Sequence, residues 1–589
     1  MDSGKMHPYF TGNYVPTYVT IDGKPCEFEG AIPDEFLGGQ YVRNGSNLME
    51  DKGHRQLHWF DGDGMLTGVF FSRPNTSSES VQPLFTNKYV ETDVYCATKI
   101  NKRLHPILPG MAALVDPVPS PFRILLSVMR TYVIIFASLF KLIARPIQRV
   151  GAANTNIFYH DGRVLATNEI GPPMRVHLPS LKTIGWFTGS KAEGEPACVG
   201  DSDAYFGGKG IEGFYKEMTT AHPRVDQTTG ELILFHSTFL PPFIQYSIVP
   251  AKASSKNEPR LNLPVPGLSS GKLMHDFGVS RHYTVIIDCP ISLDPFNLRH
   301  NLSAVQYDPN GPTRLGVFPR HSPDKIKWFD TGASIVMHTA NTWDECTPSG
   351  TRVHILLCRM NSLAPLYHMG GMEAPKSVCP DNPQCRLYYY EITSAITQQW
   401  ALSSIPFEFP HIPRHLEMTA ARYIYGCSMR EGNFASQFME SVKIDCLAKI
   451  DVKRLLTMGQ RTPPVGPEGS VDTRTMQEIL CSEDPEDPIQ VFALPDGWYA
   501  QECSFVPRKD GKSEDDGWLV TYVFDESQLN EEGKAKAGCR SELWIIDAVG
   551  MQEVLAKVFL PQRVPYGMHG NWFAENQILD QRSFTGFRL

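Results

Sequence analysis

The chain has 589 residues, 42% hydrophobic and 20% charged, which describes a globular protein with a substantial core and excludes a disordered or collagen-like chain. Its 55 basic and 64 acidic residues give a formal charge of -9, the wrong sign for a nucleic-acid-binding surface. The N-terminus "MDSGKMHPYF" has no apolar signal-peptide core, and the thirteen cysteines form no CxxC pair, so a cytoplasmic, non-secreted protein with reduced thiols is expected.

In chain order, the first element is "GQYVRNG" (39–45), β-branched and aromatic residues bordered by glycine. The stretch 122–145 is different in kind and is considered below. Then come "GRVLATNE" (162–169), "GELILFHSTF" (230–239), "HYTVIIDCP" (282–290) and "TRVHILLCRM" (351–360), followed by "GWLVTYVFDE" (517–526) and "SELWIIDAV" (541–549). Runs of this length with Gly, Pro, Asn and Asp at their borders predict strands joined by turns. They continue from residue 40 to 570 without a linker, and the 47 glycines and 46 prolines are spread as many tight turns require. A single all-β domain over 1–589 is predicted.

The exception is "FRILLSVMRTYVIIFASLFKLIAR" (122–145), within an apolar insertion over 111–146. Its length permits a membrane span. Its polar residues, Arg123, Ser127, Arg130, Ser138, Lys141 and Arg145, recur near helical spacing, with Ile134 and Ala137 interrupting them. A narrow basic face opposite a wide apolar one predicts an amphipathic helix lying in a membrane surface, a monotopic, peripheral attachment. A central Arg130 would cost a true span about 2.5–3.5 kcal/mol. The alternative is a buried core helix. At the C-terminus, "FRL" resembles a peroxisomal signal only loosely.

Four of the 18 histidines have distinctive surroundings: His222 in "TTAHPRVDQTTGE", His275 in "GKLMHDFGVS", His338 in "ASIVMHTANTWDE" and His569 in "VPYGMHGNWF". No local metal motif has their wide spacing. To share an ion, each must arrive from a different strand end on a common axis, as the inner strands of a propeller do. Around His569, Gly567 and Gly570 are expected to let the backbone crowd that ion.

The series "EGAIPDEFLGGQYVRNGSN" (29–47), "HWFDGDGML" (58–66), "AHPRVDQTTGE", "MHDFGVS", "HTANTWDE", "IPFEFPHI" (405–412), "EDDGWLVTYVFDE" (514–526) and "VPYGMHGNWF" resembles, in order, the motifs of the carotenoid cleavage oxygenases. The resemblance runs from residue 29 to 573. It implies a seven-bladed β-propeller with a helical and loop cap over an axial non-haem Fe(II), held by His222, His275, His338 and His569. It further implies that Glu169 in "LATNE", Glu408 in "PFEFP" and Glu502 in "AQECSFVP" support His275, His338 and His569 respectively. Cys503 follows Glu502 where the family has proline. Asp276, Asp344 and Glu345, beside the ligands, read as structural. Imidazole suits ferrous iron as well as zinc, copper or nickel, but zinc supplies no electrons to dioxygen.

The implied reaction adds O2 across one double bond of a polyene in an apolar tunnel, giving two carbonyl products. Stilbene-cleaving relatives anchor a phenol with a lysine in a segment like "LALKE"; here Asn168 occupies that place in "LATNE". A hydroxyl site without its partner loses selectivity, so a carotenoid is expected. "ATNEIGPPMRVHLPSLKTIGWF" looks most like fungal enzymes that trim torulene to an apocarotenal. The alternatives are a stilbene (resveratrol-type) oxygenase, a retinal-forming 15,15' oxygenase, an isomerohydrolase on the same fold, and a propeller used only as an interaction platform.

Overall fold

The computed structural model describes residues 7–588, apart from 50–56, 74–80, 108–109, 116–120, 141, 143–144, 197–204, 209–215, 239, 252–257, 301, 349 and 438–440. Seven sheets of four to six strands follow one another as the blades of a β-propeller, antiparallel except where Ser470–Asp472 adds parallel to Ile396–Ser403, and there is one additional two-stranded ribbon. The first blade is built around Gln40–Arg43, Asp63–Ser72 and Gln82–Tyr89, the second runs from Asn156–His160 to Lys182–Trp186, and the third from Arg224–Val225 to Arg260–Pro264. The fourth runs from Phe277–Val279 to Lys327–Thr331, and the fifth from Ile335–Thr347 to Ile396–Ser403. Glu408–His411 to Ile489–Ala493 forms the sixth, and Trp498–Ala500 to Val554–Phe559 the seventh.

Two strand exchanges close the ring. Gly570–Phe573, near the C-terminus, pairs antiparallel with Gln40–Arg43, and Glu27–Gly30, near the N-terminus, adds to Val554–Phe559. Both blades beside the joint therefore contain strands from both ends of the chain. The strands read as unbroken apolar runs because a blade is covered on both faces by its neighbours. Cys385–Ile392 is buried at all eight positions and Cys446–Asp451 at all six. Polar residues inside such runs are paired, as Lys449 is with Asp515.

Between the first two blades the chain leaves the sheet to form the helices Asp93–Ile100, Met111–Val115 and Pro121–Leu139. Among the described residues, no helix is long and apolar enough to cross a membrane. The 19-residue helix Pro121–Leu139 is amphipathic, but two of its polar residues do not face water as the sequence pattern suggests. Thr131 and Ser138 are buried. Thr131 donates to the Ile107 carbonyl, and Ser138 Oγ donates to Ile135 O at 2.6 Å and accepts from Ile147 N at 2.9 Å. Arg130 caps the carbonyls of Pro106, Leu104 and Arg103 at 2.6–3.1 Å. The polar side chains dock the helix, together with Ile134 and Ile135, which pack on Ala97, Ile107, Ile147 and Val150. The outer face is apolar: Leu126, Met129, Val133, Phe136 and Phe140 are 47–67% exposed. The side chains of Arg123 and Lys141 lie outside the described residues.

The C-terminal tail is docked as well. Arg588 pairs with the buried Asp93, which also accepts from Gln148 N and Arg149 N at 2.8 and 2.9 Å. The arginine of the peroxisome-like tripeptide is therefore engaged with the body of the protein.

Candidate metal centre

His222 precedes the strand Arg224–Val225, His275 precedes Phe277–Val279, and His569 precedes Gly570–Phe573. His338 lies within Ile335–Thr347, where the pairing register shifts between Val336 and Thr339. Such a bulge re-aims a side chain out of the regular pleat. The third, fourth, fifth and first blades thus each deliver one imidazole from the strand at the end of the sheet. The Nε2 atoms of His222 and His275 are 2.9 Å apart, those of His275 and His338 3.4 Å, and one ring nitrogen from each of the four lies within 4.8 Å of the others. Their rings meet nearly edge-on, at 62–85°.

The remaining blades deliver carboxylates. Glu169, after Arg163–Thr167 of the second blade, sits 2.6 Å from His275 Nδ1. Glu408, at the start of the sixth, lies 2.6 Å from His338 Nδ1 and also accepts from Phe409 N at 2.6 Å. Glu502, in the seventh, lies 3.2 Å from His569 Nδ1 and accepts from Gly570 N at 2.8 Å. Cys503, in the place of proline, is buried and leaves this contact in being. Among the described residues, no carboxylate lies within ion-pair distance of His222. An Nδ1–H donated to a carboxylate leaves the lone pair on Nε2. Three lone pairs so fixed point at one spot, and lone pairs this close repel unless a cation lies between them. The donor set therefore fits a divalent ion preferring nitrogen ligands.

The electrostatics have the same cause. Burial first, and then the neighbouring imidazoles, hold His222 and His338 well below the ordinary histidine pKa. For His275, burial opposes protonation but the Glu169 carboxylate outweighs it and raises the pKa. Burial pushes Glu408 up to about 8. A positive charge at the convergence point would relieve this penalty.

Thr220, which sequence reasoning did not single out, and Asp276, which it read as structural, hold three of the four strands together. Thr220 Oγ1 donates to His275 O at 2.9 Å and accepts from His222 N at 3.1 Å. Asp276 accepts from Thr339 N and Arg224 Nη2, both at 2.7 Å, so it ties together the strands after His222, His275 and His338. Asp344 instead accepts from His282. The glycines around His569 make room for side chains rather than for an ion. A Cβ at Gly567 would lie 1.6 Å from Arg43 Nη1, and one at Gly570 would lie 2.5 Å from the Tyr41 hydroxyl. Tyr41 donates that hydroxyl to Glu502 O at 2.9 Å, and Arg43 donates to Pro565 O at 2.9 Å. The only sequence signal for either was the unusual arginine in the apolar strand "GQYVRNG".

Two environments meet at the histidines. On one side is an apolar cavity lined by Trp59, Phe60, Met337, Phe409 and Met568, which shares Phe60 and Met360 with a neighbouring apolar cavity walled by Leu273, Ile287, Ile335 and Leu366. Glu169 and His275 line both. On the other side is a polar cavity bordered by Arg224, Asp276, Arg414 and Glu417.

The family model described as retinal pigment epithelial membrane protein matches residues 14–574. The chain belongs to that family. The carotenoid dioxygenase carX of Gibberella fujikuroi is 44% identical, over 99% of this chain and 91% of its own length. A carotenoid 9,10(9',10')-cleavage dioxygenase of Phaseolus vulgaris is 26% identical, over 98% and 92%. Among solved structures, a lignostilbene dioxygenase of Pseudomonas brassicacearum superposes with a TM-score of 0.68 at 18% identity, over 96% of this chain and 98% of its own. A variant of the Synechocystis apocarotenoid oxygenase does so at 0.64 and 21%, over 95% and 97%. These structural likenesses establish the propeller. Family membership and the named dioxygenases make this protein an oxygenase-family enzyme.

Proposed function

We propose that the protein is a non-haem Fe(II) dioxygenase that cleaves one conjugated double bond of a carotenoid or apocarotenoid with O2 to give two carbonyl products. The observation that carries this reading is the convergence of four imidazole nitrogens within 4.8 Å at the head of an apolar cavity. His222, His275, His338 and His569 serve as ligands, each through Nε2. Glu169, Glu408 and Glu502 hold the Nδ1 protons, fix ring orientation and offset the ion's charge. Ferrous iron held there supplies the electrons that dioxygen chemistry needs, which zinc does not.

The rest falls to the protein. Trp59, Phe60 and Phe409 exclude water and hold the polyene in register beside the histidines. The apolar cavity walled by Leu273, Ile287, Ile335 and Leu366 receives the hydrocarbon. The segments around Met111–Val115 and Ala364–His368 act as the cap, and their Val115, Leu366 and Tyr367 share one buried cluster. The whole chain functions as one domain, with 111–146 as an insertion. Its helix lays Leu126, Met129, Val133 and Phe136 into a membrane surface, where a water-insoluble substrate is concentrated.

Among polyenes, a torulene-like substrate is the specific reading, drawn from the run "ATNEIGPPMRVHLPSLKTIGWF", and the 44% identity to a carotenoid dioxygenase supports a carotenoid. The stilbene alternative draws on a structural likeness at 18% identity, which speaks for fold alone. Torulene, β-carotene, apocarotenals and resveratrol are to be offered side by side to the iron-loaded enzyme, with chromatographic identification of products. Carbonyl fragments of a carotenoid are expected, and cleavage of resveratrol alone, or of nothing, overturns the proposal.

A further inference from the structure

The polar cavity on the far side of the histidines has His222, His338, His569 and Glu502 at its floor, all buried. Exposure rises towards its mouth, where the side chains of Arg224 and Arg414 are 20% and 37% exposed. Its volume of about 70 Å³ holds a few waters, at about 10–30 Å³ each. Of the four histidines, His222 alone lines this cavity and neither of the two apolar ones.

The carboxylates along the cavity differ in what they have left to give. Asp276 is taken up by Arg224 Nη2 and Thr339 N, both at 2.7 Å, and Glu502 by His569 Nδ1 and Gly570 N at 3.2 and 2.8 Å. Glu417, nearer the mouth, receives Arg414 Nη1 on Oε1 at 3.4 Å, while its Oε2 is buried and meets no donor. His411 also lines the cavity, but its Nε2 accepts from Phe505 N at 3.0 Å, so Nδ1 carries the proton and the ring has no lone pair for a cation. A buried carboxylate oxygen without a donor is costly, and native proteins rarely retain one without a use.

We propose that this cavity is the route by which ferrous ion reaches the histidines, with Glu417 Oε2 as the ligand that draws the ion out of solvent. This rests on the reading of the site as an iron centre. An ion entering through the apolar side would shed its water among Trp59, Phe60, Phe409 and Met568, which return no oxygen or nitrogen ligand. Through the polar cavity it exchanges waters for protein ligands in steps, first at Glu417 and then at His222, His338 and His569. One carboxylate oxygen holds a ferrous ion less tightly than four imidazoles, so the ion passes inward instead of stopping at the mouth. Arg414 opposes entry, because its guanidinium repels a cation and occupies the other oxygen of Glu417.

The test is the time course of anaerobic ferrous uptake by the iron-free, full-length protein, read as iron bound per chain. Glu417→Gln keeps the shape and removes the charge. It is expected to slow uptake by about tenfold, the scale on which a focused charge alters an on-rate, and to reach the same final iron content. Arg414→Ala is expected to raise the rate instead, an opposite sign that damage to the fold does not produce. Equal rates in the wild type and Glu417→Gln, slower uptake in Arg414→Ala, or a lower final iron content in Glu417→Gln overturns the route alone, because the wild type still fills. A wild type that takes up no iron overturns the underlying reading as well.

Discussion

Gly567 and Arg43 occupy one volume between them. A methyl group at Gly567 would land 1.6 Å from the guanidinium, which is 4% exposed and holds Pro565. Gly567→Ala is therefore expected to destabilise the protein by about 1–3 kcal/mol, the usual cost of overpacking. The loss would read as a lower Tm in the iron-free protein. An unchanged Tm would mean that Arg43 moves aside freely and that the glycine has another purpose. This pair also marks where the sequence stops being legible. The glycines flanking His569 were conspicuous, but what they accommodate is a side chain more than 500 positions away, set by ring closure. The four histidines and three glutamates were legible because each sits in a short motif that resembles a known family, and the structure brings all seven together. Thr220 and Tyr41 were not, because a threonine or tyrosine beside a strand carries no signal until its partner is known.

At the scale of elements, the helix Pro121–Leu139 shows why a polar stripe does not by itself say which side faces water. Thr131 and Ser138 fall on its polar stripe, yet both bond inward to neighbouring backbone, and Arg130 caps three carbonyls. What remains outside is an apolar surface with no covering partner among the described residues. Deleting 122–145 would remove Ile134 and Ile135 from their cluster and confuse membrane binding with stability. The cleaner test is Val133→Asp with Phe136→Asp, both on the exposed face. Each apolar side chain is worth about 1.5–3 kcal/mol when fully buried, so the double variant is expected to shift from liposome-bound to free by at least about tenfold. Its iron content should be unchanged. Retention in the liposome pellet would assign membrane binding, if any, to another surface. The strand runs, by contrast, were readable individually, because a blade buried on both faces requires continuous apolar sequence. Their number and order were not, since no repeat is visible in the chain.

The whole propeller carries neutral histidines deep in its blades, which makes its stability a function of pH. Burial lowers His58 and His160 to about 4, and His236 and His411 to about 3. Above pH about 6.5 these groups are neutral in both folded and unfolded chains and contribute no pH dependence. Below it, the unfolded chain takes up protons that the folded one refuses, so stability falls as pH drops towards 4. The slope is about 1.4 kcal/mol per pH unit for each histidine. Buried carboxylates act the other way, since Asp63 and Glu217 are pushed up to about 7. The histidine contribution is therefore isolated by a variant. Between pH 7 and 5 the stability of His236→Gln is expected to lose about one proton's worth of downward slope relative to the wild type, and an equal slope in the two would contradict the sign. The account as a whole depends on four blades sharing one iron. Its most direct test is iron bound per chain after anaerobic ferrous reconstitution, in the wild type and in His222→Ala, His275→Ala, His338→Ala and His569→Ala. About one iron in the wild type and little in each variant is predicted; sub-stoichiometric iron in the wild type, or full iron in any of the four, would contradict it.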